Sequence, residues 1–234
     1  MTRTIDPTTL SSLILFRGLS PEQLEKLAPL LHTRTFPTGA NVITAEDLGD
    51  GAYIILEGSV KVYVSHTDGG EIILAILGPG EIVGEMSVAD SLGRSASVLT
   101  LEDSSFLWMD RRTFLWSMEE MPQVARNLVS ILSRRLRLAD THTRSLAALD
   151  VHGRVAAQVL AFAREYGEAL PDGGTLIPLR LTQTDLAGLV GASRVRVNQA
   201  LGYFRKRGSI SLDVDHRVTV HDEDALVRRA RMLA

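Results

Sequence analysis

The stretch Thr182-Gln-Thr-Asp-Leu-Ala-Gly-Leu-Val-Gly-Ala-Ser-Arg-Val-Arg-Val-Asn-Gln199 predicts two short helices that meet at a tight turn. Thr182 with Asp185 resembles a capping box in which Asp replaces the usual Glu, so the first helix is expected to begin there. Gly191 permits the turn, and Ser193 can cap a second helix that continues to about Lys206. This arrangement is typical of a DNA-reading helix-turn-helix.

The second helix is expected to place its polar face in the major groove. Helical spacing assigns to its buried face Val197, Ala200, Leu201 and Phe204. Arg194 can fork onto guanine, and Val195 can touch a thymine methyl. Asn198 or Gln199 can bond adenine. The residues expected to contact DNA are Thr182, Ser193, Arg194, Val195, Arg196, Asn198 and Gln199, with Ser193 and Arg196 on phosphate. The alternative is an ordinary helical hairpin with a solvated basic face.

Two further features at this end of the chain favour DNA. Strands at Ser209–Leu212 and Arg217–Val220 predict a hairpin, which would be the wing of a winged helix-turn-helix. Residues 1–121 carry 8 basic and 17 acidic side chains, residues 122–179 carry 7 and 5, and residues 180–234 carry 10 and 6. The net charges are therefore −9, +2 and +4, so a polyanion is attracted to the last segment.

Residues 124–149 contain no Gly or Pro and predict one helix of roughly 25 residues, on the order of 38 Å long. The apolar positions at helical spacing are Leu128, Ile131, Leu132, Leu138 and Leu146. Because Arg134, Arg135 and Arg137 interleave with this seam, the helix needs a partner, and we expect self-association into a homodimer. The alternative is packing against its own domain. Asp150 is expected to cap the next helix, to about Tyr166, and residues 167–178 to form a loop.

The N-terminal half predicts an antiparallel barrel or jelly roll, because short alternating runs from Thr33 to about Asp110 are separated by turn residues. Before them, Ser20 can cap a short helix that starts with Pro21. The expected fold class is α+β. Its segments are a sensing β-roll (residues 1–121), a long dimerisation helix (122–149) and a winged helix-turn-helix domain (150–234).

The composition excludes several kinds of site. With no Cys in 234 residues, disulfides, zinc–thiolate sites and iron–sulfur clusters are excluded. No run approaches 18 apolar residues and the N-terminus lacks the apolar core of a signal peptide, so we expect a cytoplasmic protein with no membrane partner. No nucleophile–base–acid set has motif context, so an enzyme is not expected.

Three motifs carry a resemblance to a known family. They are Gly84-Glu85-Met-Ser-Val-Ala-Asp-Ser-Leu-Gly-Arg94-Ser95-Ala96-Ser-Val98, Leu149-Asp150-Val-His-Gly-Arg154 and Val190-Gly-Ala-Ser-Arg194. In this order they closely resemble the cyclic-AMP receptor branch of the bacterial CRP/FNR regulators, over nearly the whole chain. The resemblance implies a β-roll with a cyclic nucleotide, cAMP first, as allosteric effector. It also implies a homodimer, a pseudo-palindromic DNA operator, and RNA polymerase as a partner.

In that family the segment that matches Gly84 to Val98 holds the phosphate. Arg94 can hold a cyclic phosphate bidentately while Ser95 and backbone N–H groups donate to it. Glu85, an acceptor only, suits the ribose 2′-hydroxyl, and Gly84 lets the backbone approach. The residues that the resemblance assigns to the nucleotide are Gly84, Glu85, Met86, Arg94, Ser95, Ala96, Val62, Leu74 and Asp140. The alternative is a loop stapled by a Glu85–Arg94 ion pair.

Two departures from the enterobacterial receptor concern specificity. That receptor has Thr-Ser where this chain has Ala-Asp140, so Asp140 either accepts from an adenine amino group or pairs with Arg144 on the surface. In the recognition helix Arg194 is retained, whereas Val195 and Gln199 replace a Glu and a second Arg. We therefore expect a related but different operator.

Three other interpretations stay open at this point. The barrel could be without a ligand in a constitutively active regulator. The chain could be a cyclic-nucleotide-binding regulatory subunit that acts on a protein partner. It could also sense haem, although neither His32 nor His66 is obviously placed to bind iron.

Overall fold

The computed structural model of the chain describes residues 6–65, 70–90, 92–171 and 173–231. Contacts divide the chain into two units. The first unit consists of residues up to 64 together with residues 75–137, and the second of residues 65–74 together with those from 138 onward. In the described ranges, no helix is both long and apolar enough to cross a membrane.

Short helical segments precede the strands of the first unit. They are α1 (Pro7–Ser12), a 3-10 turn (Ile14–Phe16), α2 (Pro21–Leu27) and a second 3-10 turn (Ala28–Leu30). The predicted cap of α2 is confirmed, because the Ser20 hydroxyl accepts a hydrogen bond from the Gln23 backbone N–H at 3.3 Å. Leu10, Phe16 and Leu27 are fully buried in the core of this unit, which anchors the segments to the sheet.

Eight strands form the barrel that the alternating runs predict. They are β1 (His32–Phe36), β2 (Asn41–Ile43), β3 (Gly51–Glu57), β4 (Val60–Ser65), β5 (Glu71–Leu77), β6 (Ile82–Val83), β7 (Ser97–Thr100) and β8 (Ser104–Asp110). Two four-stranded sheets result, in the orders β1-β8-β3-β6 and β2-β7-β4-β5. Their facing side chains, among them Ile55, Val60 and Phe106, are fully buried. A short helix, α3 (Glu85–Asp90), lies between β6 and β7 in the chain.

Two helices follow the barrel, α4 (Arg111–Glu120) and α5 (Pro122–Ala148). The predicted long helix is present, with 27 residues and a length of about 40 Å. Its apolar seam divides into two parts. Leu128 and Ile131 are buried in the core of the first unit, as the alternative interpretation expects for this part. Leu138 and Leu146 remain 42% and 43% exposed, so the second half of the seam lacks such cover within the described chain.

The second unit contains a helical core and a small sheet. Its elements are α6 (Val151–Tyr166), β9 (Glu168–Ala169), β10 (Thr175–Ile177), α7 (Gln183–Val190), α8 (Arg194–Lys206), β11 (Ile210–Leu212), β12 (Val218–Val220) and α9 (Glu223–Ala230). The predicted hairpin is β11 with β12, in a four-stranded sheet of order β11-β12-β10-β9. The loop prediction for residues 167–178 is wrong in part, because strands of two and three residues are too short to show alternation.

Candidate functional site

An open cavity with a volume of about 100 Å³ lies in the first unit. Its lining residues are Ile43, Val62, Leu77, Val83, Gly84, Glu85, Met86, Ser87, Arg94, Ser95, Ala96, Val98 and Arg135. Seven of the nine residues predicted for the nucleotide are therefore brought together: Val62, Gly84, Glu85, Met86, Arg94, Ser95 and Ala96.

The other two predicted residues, Leu74 and Asp140, do not line the cavity. Leu74 is half exposed, and strand alternation puts it on the opposite face of β5 from Leu77, which does line the cavity. Asp140 is exposed on α5. The expected surface ion pair is replaced by a backbone contact, since Arg144 Nε donates to the carbonyl of Asp140 at 3.4 Å rather than to its carboxylate.

Arg94 is the buried cation at one side of the cavity, with a side chain only 4% exposed. Its Nη1 donates to the Gly84 carbonyl at 2.7 Å and to Ser87 Oγ at 2.8 Å. Its Nη2 donates to the Gly51 carbonyl at 2.7 Å and approaches Asp50 Oδ1 at 3.3 Å. All four terminal N–H groups of the guanidinium thus have an oxygen acceptor within the chain.

Gly84 allows a close approach of the Arg94 guanidinium to the backbone, while its predicted approach to a nucleotide stays a prediction. Its φ of +82° lies in the left-handed region, and a Cβ atom built there would stand 2.4 Å from Arg94 Nη1. Any side chain at this position would therefore displace the guanidinium.

The Glu85–Arg94 ion pair of the alternative interpretation is not formed, because Glu85 pairs with Arg135 instead. Glu85 begins α3 and is 3% exposed, and its carboxylate accepts from Arg135 Nη1 at 2.8 Å. Arg135 Nη2 also donates to Glu81 at 2.7 Å, and Arg134 pairs with the same carboxylate. Sequence reasoning missed Arg135 as a cavity residue, because it lies 50 positions from Glu85 on a helix with neighbouring arginines.

The two buried carboxylates differ in pKa although they share Arg135. Burial raises the pKa of Glu85, and the attraction of Arg135 offsets this only in part. Burial also opposes the charge of Glu81, but Arg135 and Arg134 together outweigh it and hold the pKa of Glu81 below its usual value. Glu81 therefore fixes the two arginines electrostatically, whereas Glu85 is the less stable anion at the cavity.

The chemistry of the lining suits an anion that carries a hydroxyl group and an apolar part. Arg94 and Arg135 supply positive charge, and Glu85 supplies a buried acceptor. Val62 and Ala96 supply apolar surface. The described residues hold no cluster of His, Asp and Glu suited to a metal ion. Of the two histidines weighed for haem, His32 stacks on Trp108 outside the cavity lining, and His66 lies outside the described residues.

The helix-turn-helix is formed by α7 and α8 in the second unit. Its predicted caps are confirmed: Thr182 Oγ1 accepts from the Asp185 N–H at 3.2 Å, and Ser193 Oγ from the Arg196 N–H at 3.4 Å. Gly191 ends α7 with a φ of +59°, as the predicted turn requires.

A residue that the sequence prediction did not assign, Arg154 on α6, holds this turn. Its Nη1 donates to the carbonyl oxygens of Val190 and Gly191, at 2.8 and 3.1 Å. The last carbonyls of a helix need such partners, so Arg154 fixes the end of α7 and with it the start of α8.

The two faces of α8 are those that the spacing predicts. Val197, Ala200, Leu201 and Phe204 are buried. The exposed residues are Ser193, Arg194, Val195, Arg196, Asn198 and Gln199. A contact that the sequence did not indicate joins the two helices, since Gln183 Nε2 donates to Asn198 Oδ1 at 3.1 Å. The surface thus offers cations, amides and one methyl-bearing side chain to a partner.

Comparison with known proteins agrees with both sites. Residues 33–121 match the cyclic nucleotide-binding domain, and residues 153–229 match the Crp-like helix-turn-helix domain. A CRP-like cAMP-activated global transcriptional regulator of Mycobacterium tuberculosis is 37% identical, over 93% of this chain and 96% of its own. The cyclic AMP receptor protein of Thermus thermophilus is 35% identical, over 85% and 88%. The crystal structure of the Thermus thermophilus catabolite activator protein, 34% identical, covers 94% of this chain and 100% of its own with a TM-score of 0.51.

A cyclic-nucleotide-binding barrel followed by a helix-turn-helix defines a transcription regulator, not an enzyme. The chain belongs to the cyclic-AMP receptor branch of the CRP/FNR family of bacterial transcription regulators.

Proposed function

We propose that this chain is a homodimeric, DNA-binding regulator that cAMP controls allosterically. The observation that carries the proposal is the set of Arg94, Arg135 and Glu85 in one cavity, in the same chain as a helix-turn-helix. The two curated relatives are named as cAMP-activated or as a cyclic AMP receptor, which supports cAMP as the effector. The match to the Crp-like helix-turn-helix domain speaks against a regulatory subunit that acts only on a protein.

In the proposed complex, Arg94 forks onto the cyclic phosphate, Ser95 donates to it, and Glu85 accepts from the ribose 2′-hydroxyl. Because the terminal N–H groups of Arg94 already have acceptors, the phosphate must replace at least one of them. Asp50 is the natural one to leave, since its contact is the longest at 3.3 Å and its side chain is 69% exposed. Val62 then offers apolar contact to the nucleoside.

The dimer would use the part of α5 that the first unit leaves uncovered. Leu138 and Leu146, which belong to the predicted seam, are 42% and 43% exposed. A second copy of the helix would remove this apolar surface from water, as in a coiled coil. Two helix-turn-helix units would then read half-sites about one helical turn, roughly 34 Å, apart in a pseudo-palindromic operator. RNA polymerase is the expected protein partner of such a regulator.

Calorimetric titration with cAMP and cGMP, followed by operator binding with and without nucleotide, tests the proposal. We expect Arg94→Ala to weaken cAMP binding at least ten- to a hundredfold, roughly the value of a charge-assisted hydrogen bond. Arg17→Ala, which removes an exposed arginine of the same unit, is the control and should bind like the wild type. Equal cAMP affinity of the Arg94 variant and the wild type would refute the site. Equal operator affinity with and without cAMP would instead support a ligand-independent regulator.

A further inference from the structure

We infer that Gln183 sets the base preference of the recognition helix through Asn198, so that Asn198 presents hydrogen-bond donors to DNA instead of reading adenine with both ends of its amide. The inference rests on the DNA-binding function proposed above. Gln183, on the first helix of the motif, would determine sequence specificity by orienting Asn198 on the second helix.

The observation is the hydrogen bond from Gln183 Nε2 to Asn198 Oδ1, 3.1 Å long. Gln183 is the first residue of α7, directly after the Thr182 cap, and Asn198 is in the second turn of α8. Asn198 is exposed on the face expected to enter the groove. The contact therefore orients a side chain that would meet DNA.

The two helices are held firmly enough for this contact to define a direction. Val197 and Leu201, on either side of Asn198 along α8, are almost fully buried. The rotation of α8 about its axis is thereby fixed, so the Asn198 side chain leaves the helix on the outer face. The Arg154 bonds to the turn fix where α7 ends.

The chemistry follows from the geometry of an amide. A bidentate reading of adenine needs the Asn oxygen to accept from N6 and the Asn nitrogen to donate to N7. Gln183 holds the oxygen toward α7, and because the amide is planar, its nitrogen then faces away. A group that presents only donors suits the N7 and O6 of guanine or the O4 of thymine. The inference thus gives Asn198 a different role from the adenine contact that the sequence predicts.

Two substitutions of Gln183 should change the preference in different ways. Gln183→Ala removes the donor, so the amide can turn and adenine becomes acceptable. Gln183→Glu places an acceptor at the same point, which should attract the Asn198 nitrogen and turn its oxygen outward. The outward oxygen would then favour bases with a major-groove donor, which are adenine and cytosine. The added negative charge should weaken all sequences alike, which is separable from a change of preference.

Binding selections from a randomised operator library test the inference. We expect the wild type to select guanine or thymine opposite Asn198, and Gln183→Ala to shift the ratio toward adenine by about five- to a hundredfold. Thr184→Ala, an exposed neighbour on α7, is the matched control and should select like the wild type. The double variant Gln183→Ala with Asn198→Ala should select like Asn198→Ala alone, because Gln183 acts only through Asn198.

Two results would overturn the inference while leaving the DNA-binding function intact. One is an unchanged selection by Gln183→Ala and Gln183→Glu, with normal circular dichroism spectra. The other is a wild type that already prefers adenine at this position. If the wild type enriches no sequence, with or without cAMP, both the proposed DNA-binding function and this inference are refuted.

Discussion

Replacing Arg135 by Met should destabilise the first unit strongly, because it leaves buried carboxylates without their shared cation. Glu85 is 3% exposed and would lose its guanidinium partner, while Glu81 would keep Arg134. Removing one member of a buried ion pair costs about 3–5 kcal/mol. Since the Arg135 side chain is itself 23% exposed, water can reach it in part, and we expect the lower end, about 3 kcal/mol, at pH 7.5.

The pH dependence of this loss has a defined sign. Burial already raises the pKa of Glu85 against the pull of Arg135, and without Arg135 that pKa rises further. As the pH falls through a raised folded-state pKa, the folded protein takes up a proton that the unfolded chain does not yet bind. The free energy of unfolding of the Met variant should therefore approach that of the wild type between pH 7.5 and 5.

Urea unfolding at a fixed protein concentration, followed by circular dichroism, measures both effects. Arg126→Met is the matched control on the same helix, since Arg126 is exposed and its guanidinium donates to the side chain of Gln123. It should stay within about 0.5 kcal/mol of the wild type. Equal midpoints for the Arg135 and Arg126 variants at both pH values would refute the assigned role of Arg135.

Three further outcomes are expected. The free energy of unfolding of Glu85→Gln should be at least as large as that of the wild type at pH 7.5, because burial raises the pKa of the Glu85 carboxyl. The same variant should bind cAMP at least tenfold more weakly by calorimetry. Arg154→Met should lower the free energy of unfolding by about 1–3 kcal/mol in urea titrations, since two carbonyls at the turn lose their donor. Arg194→Ala should cost about 1–3 kcal/mol at one base pair per half-site in operator selections. Arg196→Ala should instead weaken binding to all sequences alike and reduce the salt dependence by about one ion per half-site. The reverse assignment of those two arginines would show that α8 lies in the groove in another rotation.

The features that could be predicted from the sequence depend on local chemistry. Ser20, Asp150, Thr182 and Ser193 each cap the helix that their sequence context predicts. In each case the cap residue and the N–H it accepts from are three positions apart. Such short-range bonds leave a signature in consecutive residues.

The features that could not be predicted depend on contacts between distant segments. Arg135 is one of five arginines on α5, and only the fold shows which of them reaches Glu85. The position of Leu74 outside the cavity lining could not be predicted, because β5 consists largely of apolar residues and its sequence does not show which face points inward. The Gln183–Asn198 hydrogen bond joins positions 15 apart across a turn, and no pattern of residue types predicts it.

The hydrogen bonds of Arg94 within the chain have a consequence for how strongly a nucleotide phosphate would be bound. Its guanidinium is already ordered by carbonyl, hydroxyl and carboxylate oxygens. A phosphate that entered would take the place of the Asp50 carboxylate, so the net gain in binding free energy would be smaller than for a new ion pair. When the phosphate left, the Asp50 carboxylate would again pair with the guanidinium. An acceptor within the chain that competes with the phosphate in this way would lower the affinity of the site, so that its occupancy would follow the nucleotide concentration over a higher range.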